Sequence, residues 1–217
     1  MARSTPHIQI IDLGISNLAS LTNSLEKLGA NWTTVTEAKY VGVDCDAIIL
    51  PGVGAYSVGM HILNKSGIGE KLIAIAKEGK IFILGICLGM QLLFDGSDEF
   101  GSHPGLGIIS GWVKKIETSN NDFRVPHIGW HKINWTSESK VLSNPKSKGV
   151  FYFIHSYWCD CTDSTAISAT IDVGYEMTVA VESGKTLGVQ FHPEKSLDDG
   201  FEILSRYLDA LISKNNN

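Results

Sequence analysis

Fourteen consecutive residues, Ile81 to Phe94, constrain the fold most: Ile-Phe-Ile-Leu-Gly-Ile-Cys-Leu-Gly-Met-Gln-Leu-Leu-Phe. The first six form an unbroken apolar run with the length and make-up of a buried strand. From Leu88 onward β-branched residues disappear and good helix formers take over. A strand with no polar side to give to water belongs inside a covered sheet. Cys87 stands at the strand-to-helix junction, with Gly85 two residues before it and Gly89 two after. This is a sulfur version of the G-x-S-x-G nucleophile elbow. The glycines allow a sharp turn and close approach of other backbone, and a helix N-terminus favours the reactive thiolate. A free cysteine in an apolar run is ordinarily a small core residue. A core residue has no need of two flanking glycines, and a nucleophile does.

The rest of the chain supplies the layers such a strand requires. Residues 7–13 and 46–50 read as further buried strands, ending at Asp12-Leu-Gly14 and Pro51-Gly52. Asn17 can cap a helix in which Leu18, Leu21, Leu25 and Leu28 form one apolar stripe, stopped by Gly29. Residues 69–79 repeat the helical pattern, with Leu72, Ile73 and Ala76 facing inward. Strand and helix in alternation predict a parallel sheet with helices on both faces. Later, strand patterns follow one another over residues 112–116, 127–135, 150–158, 166–173, 177–181 and 186–191. Antiparallel hairpins must therefore join the sheet and make it mixed. A last amphipathic helix over residues 201–212 packs back through Phe201, Leu204, Leu208 and Leu211. No linker or repeat divides the chain. Residues 1–213 read as a single α/β domain and 214–217 as a disordered tail.

Near the C-terminus, the strand Thr186 to Phe191 delivers His192. Pro193 holds the preceding residue extended, so His192 continues the strand direction and, with period 2, shares a side with Glu194. A carboxylate that fixes an imidazole's tautomer and stabilises its charge supplies the base and orienter of a triad. Cys87 supplies the nucleophile, brought close only by folding.

Gly85-Ile-Cys-Leu-Gly-Met-Gln91 together with Phe191-His-Pro-Glu194 resembles the class I glutamine amidotransferases. That family hydrolyses glutamine to glutamate and ammonia with a Cys-His-Glu triad, on a flavodoxin-like α/β fold with a mixed, mostly parallel central sheet. Ile11-Asp-Leu-Gly-Ile-Ser-Asn17, Leu50-Pro-Gly-Val-Gly54, Pro126-His-Ile-Gly-Trp130 and Tyr152-Phe-Ile-His-Ser-Tyr157 narrow the likeness. In kind and order they resemble the glutaminase subunits of imidazole glycerol phosphate synthases, which serve histidine biosynthesis. The resemblance implies a role for each matching residue. Cys87, His192 and Glu194 would be catalytic, and the N–H groups of Val53 and Leu88 would form the oxyanion hole. Gly52, Gln91 and the backbone of His155, Ser156 and Tyr157 would hold glutamine. Asn17, Trp130, Tyr152 and Lys195 would face a separate (β/α)₈-barrel cyclase chain that receives the ammonia. Ser16, where the family usually has Gly, and His131, where it usually has Asn, depart from the pattern on this partner-facing side. Paralogues that supply ammonia to amidinate a surface-polysaccharide sugar would share the triad. A stand-alone thiol hydrolase or a non-catalytic binding subunit on the same fold also stays open.

Composition bounds the remaining classes. A net charge of −5 gives no basic surface overall, which argues against nucleic acid. The longest apolar run is too short to span a membrane and contains Gly and Gln. Asp12 interrupts the apolar stretch near the N-terminus, so no secretory signal is expected. Cys45, Cys87, Cys159 and Cys161 show neither framework nor metal-site spacing, which suits a reduced, cytoplasmic protein. Cys159 and Cys161 read as packed thiols on one strand face. No metal and no organic cofactor is expected.

Overall fold

The computed structural model describes residues 5–117, 124–136, 141 and 149–214. The first half runs β1 (His7–Ile11), α1 (Ala19–Lys27), β2 (Asn31–Val35), β3 (Ala47–Gly52), α2 (Tyr56–Ser66), α3 (Ile68–Glu78), β4 (Phe82–Cys87) and α4 (Leu88–Leu92). Strands then dominate: β5 (Phe94–Ser97), β6 (His103–Pro104), β7 (Ile109–Lys115), β8 (His127–Lys132), β9 (Asn134–Trp135) and β10 (Val150–His155). After β11 (Tyr157–Cys161), β12 (Ile167–Asp172), β13 (Glu176–Ser183) and β14 (Thr186–Val189), the helix α5 (Leu197–Lys214) closes the chain.

Among the described residues the main sheet has eight strands in the order β2-β1-β3-β4-β14-β13-β12-β9. Pairing is parallel from β2 to β14 and antiparallel beyond. The period of 2 sorts the side chains between two cores. Ile8, Ile10, Ile49 and Leu84 pack with Leu21 and Leu25 of α1 and with Leu204 and Tyr207 of α5. Ile48, Leu50 and Ile83 pack on the other face with Tyr56 and Leu63 of α2 and Leu72 of α3. Both faces are covered, which is why these strands read as continuous apolar runs. Truncating one such buried leucine, Leu25 for example, removes about 2–5 kcal/mol.

Among the described residues, two smaller sheets stand beside the single one expected. The sheet β11-β7-β5-β6 adds Phe94, Ile109, Val113 and Cys159 to the core that α2 and α3 cover. The antiparallel ribbon β10-β8 sets Tyr152 opposite Trp130 and His155 opposite His127. Its inner side buries Phe151 and Phe153, and its outer side exposes Ile128, Trp130 and Ile154.

Several predicted boundaries shift for physical reasons. The strand expected over residues 127–135 splits at the buried Ile133, because β9 leaves the ribbon for the main sheet. The one expected over 150–158 breaks at Ser156, where the chain passes from ribbon to second sheet. The helix after Cys87 lasts five residues, since Phe94 is drawn into β5. β2 and α2 give no clear sequence signal. β2 is a mostly exposed edge strand, and α2 carries Gly59 at a buried position, where a Cβ would come 3.0 Å from the Leu92 side chain. Helix α5 starts before its apolar stripe and takes in Lys214 of the predicted tail; residues 215–217 lie outside the described residues. No helix of the described residues is long and apolar enough to cross a membrane.

Candidate functional site

β4 delivers Cys87 to the carboxyl edge of the sheet, in register with Gly52 at the end of β3. Cys87 has φ +55° and ψ −112°, a conformation that costs a non-glycine residue about 1–3 kcal/mol. The two glycines make this reversal possible. A Cβ on Gly89 would overlap the Leu50 carbonyl oxygen, and one on Gly85 would sit 2.7 Å from the Gly89 and Met90 backbone. Leu88 opens α4, so its N–H belongs to the first turn and has no intrahelical acceptor.

His192 and Glu194 form a buried pair, Nδ1 to Oε1 at 2.8 Å, with side chains 3% and 8% exposed. Strand alternation does not bring them together as expected. β14 ends at Val189, His192 remains extended, and Pro193–Lys195 close a 3₁₀ turn that returns the carboxylate to the ring. Proline suits the first position of that turn because its φ is already set. With Nδ1–H donated to Glu194, the buried Nε2 is the nitrogen left to serve the sulfur. Burial opposes charge on the ring. The neighbouring Cys87 and Glu194 more than offset this and raise the His192 pKa to about 10. The turn is also tied to the ribbon: His192 N–H donates to the Tyr152 carbonyl and Tyr152 N–H to Ser196 Oγ, both at 3.0 Å.

In front of Cys87 lies a cleft of 430 Å³, lined by Val53, Gly54, Leu88, Gln91, Glu99, Pro126, Ile154, His155, Ser156, Tyr157 and Lys195. The expected oxyanion and substrate residues converge there, except that Gly52 stands behind the wall, where a Cβ would meet the Leu88 side chain at 3.2 Å. Gln91 Nε2 donates to the Tyr157 carbonyl and to Gln190 Oε1, each at 3.0 Å. Both its hydrogens are thereby committed, and only Oε1 is left for a ligand. His155 Nδ1 donates to the same Tyr157 carbonyl at 2.8 Å. Its Nε2 therefore accepts from His127 Nδ1 at 3.0 Å. Burial lowers the pKa of His155 to about 4 and that of His127 to about 3. Two neutral rings thus brace the Ser156–Tyr157 backbone.

Glu99 and Gln190 escape the sequence reading. Glu99 sits in the loop after β5, supplies a carboxylate to the cleft, and accepts the Tyr56 N–H at the start of α2. Nothing in its local sequence sets it apart. Gln190 does carry a signal, as a polar side chain inside the otherwise apolar run Leu187 to Phe191, and it is fully buried.

The residues expected to face a partner lie on the ribbon and the adjoining loops. Trp130 is 46% exposed and its ring stands 5.7 Å from that of Tyr152. Lys195 borders the cleft. Asn17 Oδ1 accepts from Ala19 N–H at 3.2 Å, although the cap position of α1 falls on Leu18. The Ser16 hydroxyl donates to the Pro51 carbonyl at 3.2 Å, and His131 packs 4.2 Å from His127. Cys159 is fully buried, which pushes its thiol far up. Among the described residues no group of three His, Cys, Asp or Glu side chains is placed to hold a metal.

The sequence signature of the family described as "Glutamine amidotransferase class-I" matches residues 9–208. The imidazole glycerol phosphate synthase subunit HisH of Leptospira borgpetersenii is 40% identical over 203 residues, covering 92% of this chain and 98% of its own. The subunit of the same name from Bacillus subtilis (strain 168) is 36% identical, covering 92% and 94%. A solved structure described as a glutamine amidotransferase aligns with TM-score 0.72 at 21% identity, over 95% of this chain and 98% of that one. PurLQS from Thermotoga maritima aligns with TM-score 0.72 at 22% identity, over 95% and 99%. At such identities these two show the likeness of fold alone.

Proposed function

Because the chain belongs to the class-I glutamine amidotransferases, and within them to the HisH subunits of imidazole glycerol phosphate synthase, we propose that its cleft makes ammonia from glutamine for a separate cyclase chain. One observation carries the reading of the site: a strained cysteine elbow backed by a buried imidazole–carboxylate pair at 2.8 Å and fronted by a cleft that holds the Glu99 carboxylate.

His192 takes the Cys87 thiol proton, and the resulting thiolate attacks the side-chain carbonyl carbon of glutamine. The oxyanion that forms is held by the N–H groups of Leu88 and Val53, each such donor being worth about 10²–10³ in rate. The His192 imidazolium protonates the leaving nitrogen, ammonia departs, and a thioester remains. Water then adds to the thioester and gives its proton to His192. The C–S bond breaks and glutamate leaves. Glu194 keeps Nε2 toward the reaction throughout. Glu99 and Gln91 Oε1, both acceptors, suit the α-ammonium of glutamine. The backbone N–H groups at Ser156 and Tyr157 suit its α-carboxylate. Gly52 contributes by leaving room for Leu88.

The partner in this reading is a (β/α)₈-barrel cyclase docked on the exposed ribbon face with Trp130 and Tyr152, flanked by Asn17 and Lys195. A large half-exposed aromatic is a good interface anchor. The relatives compared above carry the imidazole glycerol phosphate synthase name, which favours the histidine pathway over sugar amidination. Residues 1–213 act as one domain, in the cytoplasm. The test is ammonia release from glutamine by the chain alone and with a histidine-pathway cyclase plus its nucleotide ligand. Strong stimulation by the loaded cyclase is expected. High activity of the chain alone would identify an independent hydrolase. Silence in both, while a glutamine-like alkylator still labels Cys87, would transfer the triad to a different partner.

A further inference from the structure

We infer that Gln190 is a further catalytic residue: its side-chain amide donates a hydrogen bond to Cys87 Sγ and holds the sulfur as thiolate. The assignment rests on the glutaminase reading above.

The orientation of the Gln190 amide is dictated by a backbone carbonyl. The Tyr157 oxygen can only accept, so the Gln91 atom 3.0 Å from it is Nε2. The same Nε2 lies 3.0 Å from the Gln190 side chain, which must therefore present Oε1 to it. With Oε1 committed, Gln190 Nε2 is left facing Cys87, 3.7 Å from Sγ, within reach of the large sulfur atom. Gln190 has no solvent exposure, and its backbone N–H is held by the Val179 carbonyl at 2.9 Å.

A buried donor aimed at a titratable atom favours that atom's charged form. Gln190 serves the sulfur at two moments. Before attack it steadies the charge that develops on sulfur as the thiol proton passes to His192. In the second half-reaction, collapse of the tetrahedral intermediate breaks the C–S bond and returns the bonding pair to sulfur. His192 then holds the proton taken from water, and Gln190 receives the new thiolate without moving a proton.

Two variants of the full chain separate this role from simple packing. Gln190→Met removes the amide at nearly constant side-chain length and adds no charge beside the sulfur, whereas Gln190→Leu also shortens the side chain. The probe is iodoacetamide alkylation of Cys87 across pH, followed by mass spectrometry with Cys87→Ser as blank, on variants whose unfolding transition remains cooperative. Both variants should move the midpoint of the alkylation profile up by about one pH unit or more. With the cyclase present, Gln190→Met should lose about tenfold in kcat, the equivalent of that one unit. Both variants should also raise KM, because Gln91 loses a brace. An unchanged midpoint overturns the assignment, and Gln190→Met decides alone if Gln190→Leu does not fold. If the parent chain releases no ammonia with the cyclase, the glutaminase reading fails, while the alkylation midpoint still judges Gln190.

Discussion

Replacing Gly89 by alanine tests the elbow at its tightest point. The added methyl would overlap the Leu50 carbonyl oxygen and lie 2.7 Å from its carbonyl carbon. No flexible side-chain end is available to yield, so either β3 or the first turn of α4 must move. Overpacking of a core costs about 1–3 kcal/mol where side chains can adjust, and a backbone clash belongs at or above the top of that range. With a urea dependence of about 2–3 kcal/mol per molar, the midpoint of unfolding should fall by about 1 M or more. Gly184→Ala is the control. Its φ of +61° carries the left-handed penalty, but a Cβ there meets nothing within 4 Å. It should lose only about 1–2 kcal/mol. Since Leu50 leads directly into Pro51, Gly52 and Val53, Gly89→Ala should also displace an oxyanion donor and lower kcat by about 10² or more. Equal urea midpoints for the two variants would refute the steric reasoning.

Three further outcomes are expected. Glu194→Gln should lower kcat by about 10²–10⁴ through loss of the orienting carboxylate. The stability that the charged His192 contributes is complete below its ordinary 6.5 and fades as pH rises through about 10. Gln at 194 should bring that alkaline loss to lower pH, and urea midpoints measured between neutral and alkaline pH would show it. His127 and His155 act in the opposite sense, because burial holds both rings neutral. Their contribution is present above 6.5 and lost as pH falls toward about 4 for His155 and about 3 for His127. His127→Asn, which retains a donor, should flatten the acid limb, and an unaltered limb would count against the neutral pair. Trp130→Ala should leave unfolding within about 0.5 kcal/mol yet weaken cyclase binding by about fivefold or more. Calorimetric titration with unchanged affinity would remove Trp130 from the docking face.

Much of this arrangement is legible in the sequence because it depends on local rules. The apolar runs fixed the parallel core of β1, β3, β4 and β14, and Gly85 and Gly89 announced the elbow. Strand period suggested that His192 and Glu194 meet, which they do, but through a 3₁₀ turn begun by Pro193. Local patterns do not reveal which sheet a strand joins. Residues 127–135 therefore looked like one strand, although their two pieces belong to different sheets. Helix α2 was hidden by Gly59, whose value lies in its contact with Leu92, distant in sequence. Glu99 was illegible for a related reason: its place in the cleft is set by a loop held against the start of α2, more than forty residues earlier in the chain. His127 and His155 form a pair only through the register of the ribbon.

The backbone at Cys87 sets the reaction against the fold. At φ +55° the chain would rest more easily with no side chain at all, so the usual stability order of alanine over glycine should be inverted there. Cys87→Gly and Cys87→Ala would both be inactive, with glycine the more stable by about 1 kcal/mol. Calorimetric melting of the two would reveal the order. The nucleophile thus occupies a position that thermodynamic selection alone would empty. A lineage released from the need for ammonia should drift toward glycine here, and its proteins would outlast their active ancestors in the test tube.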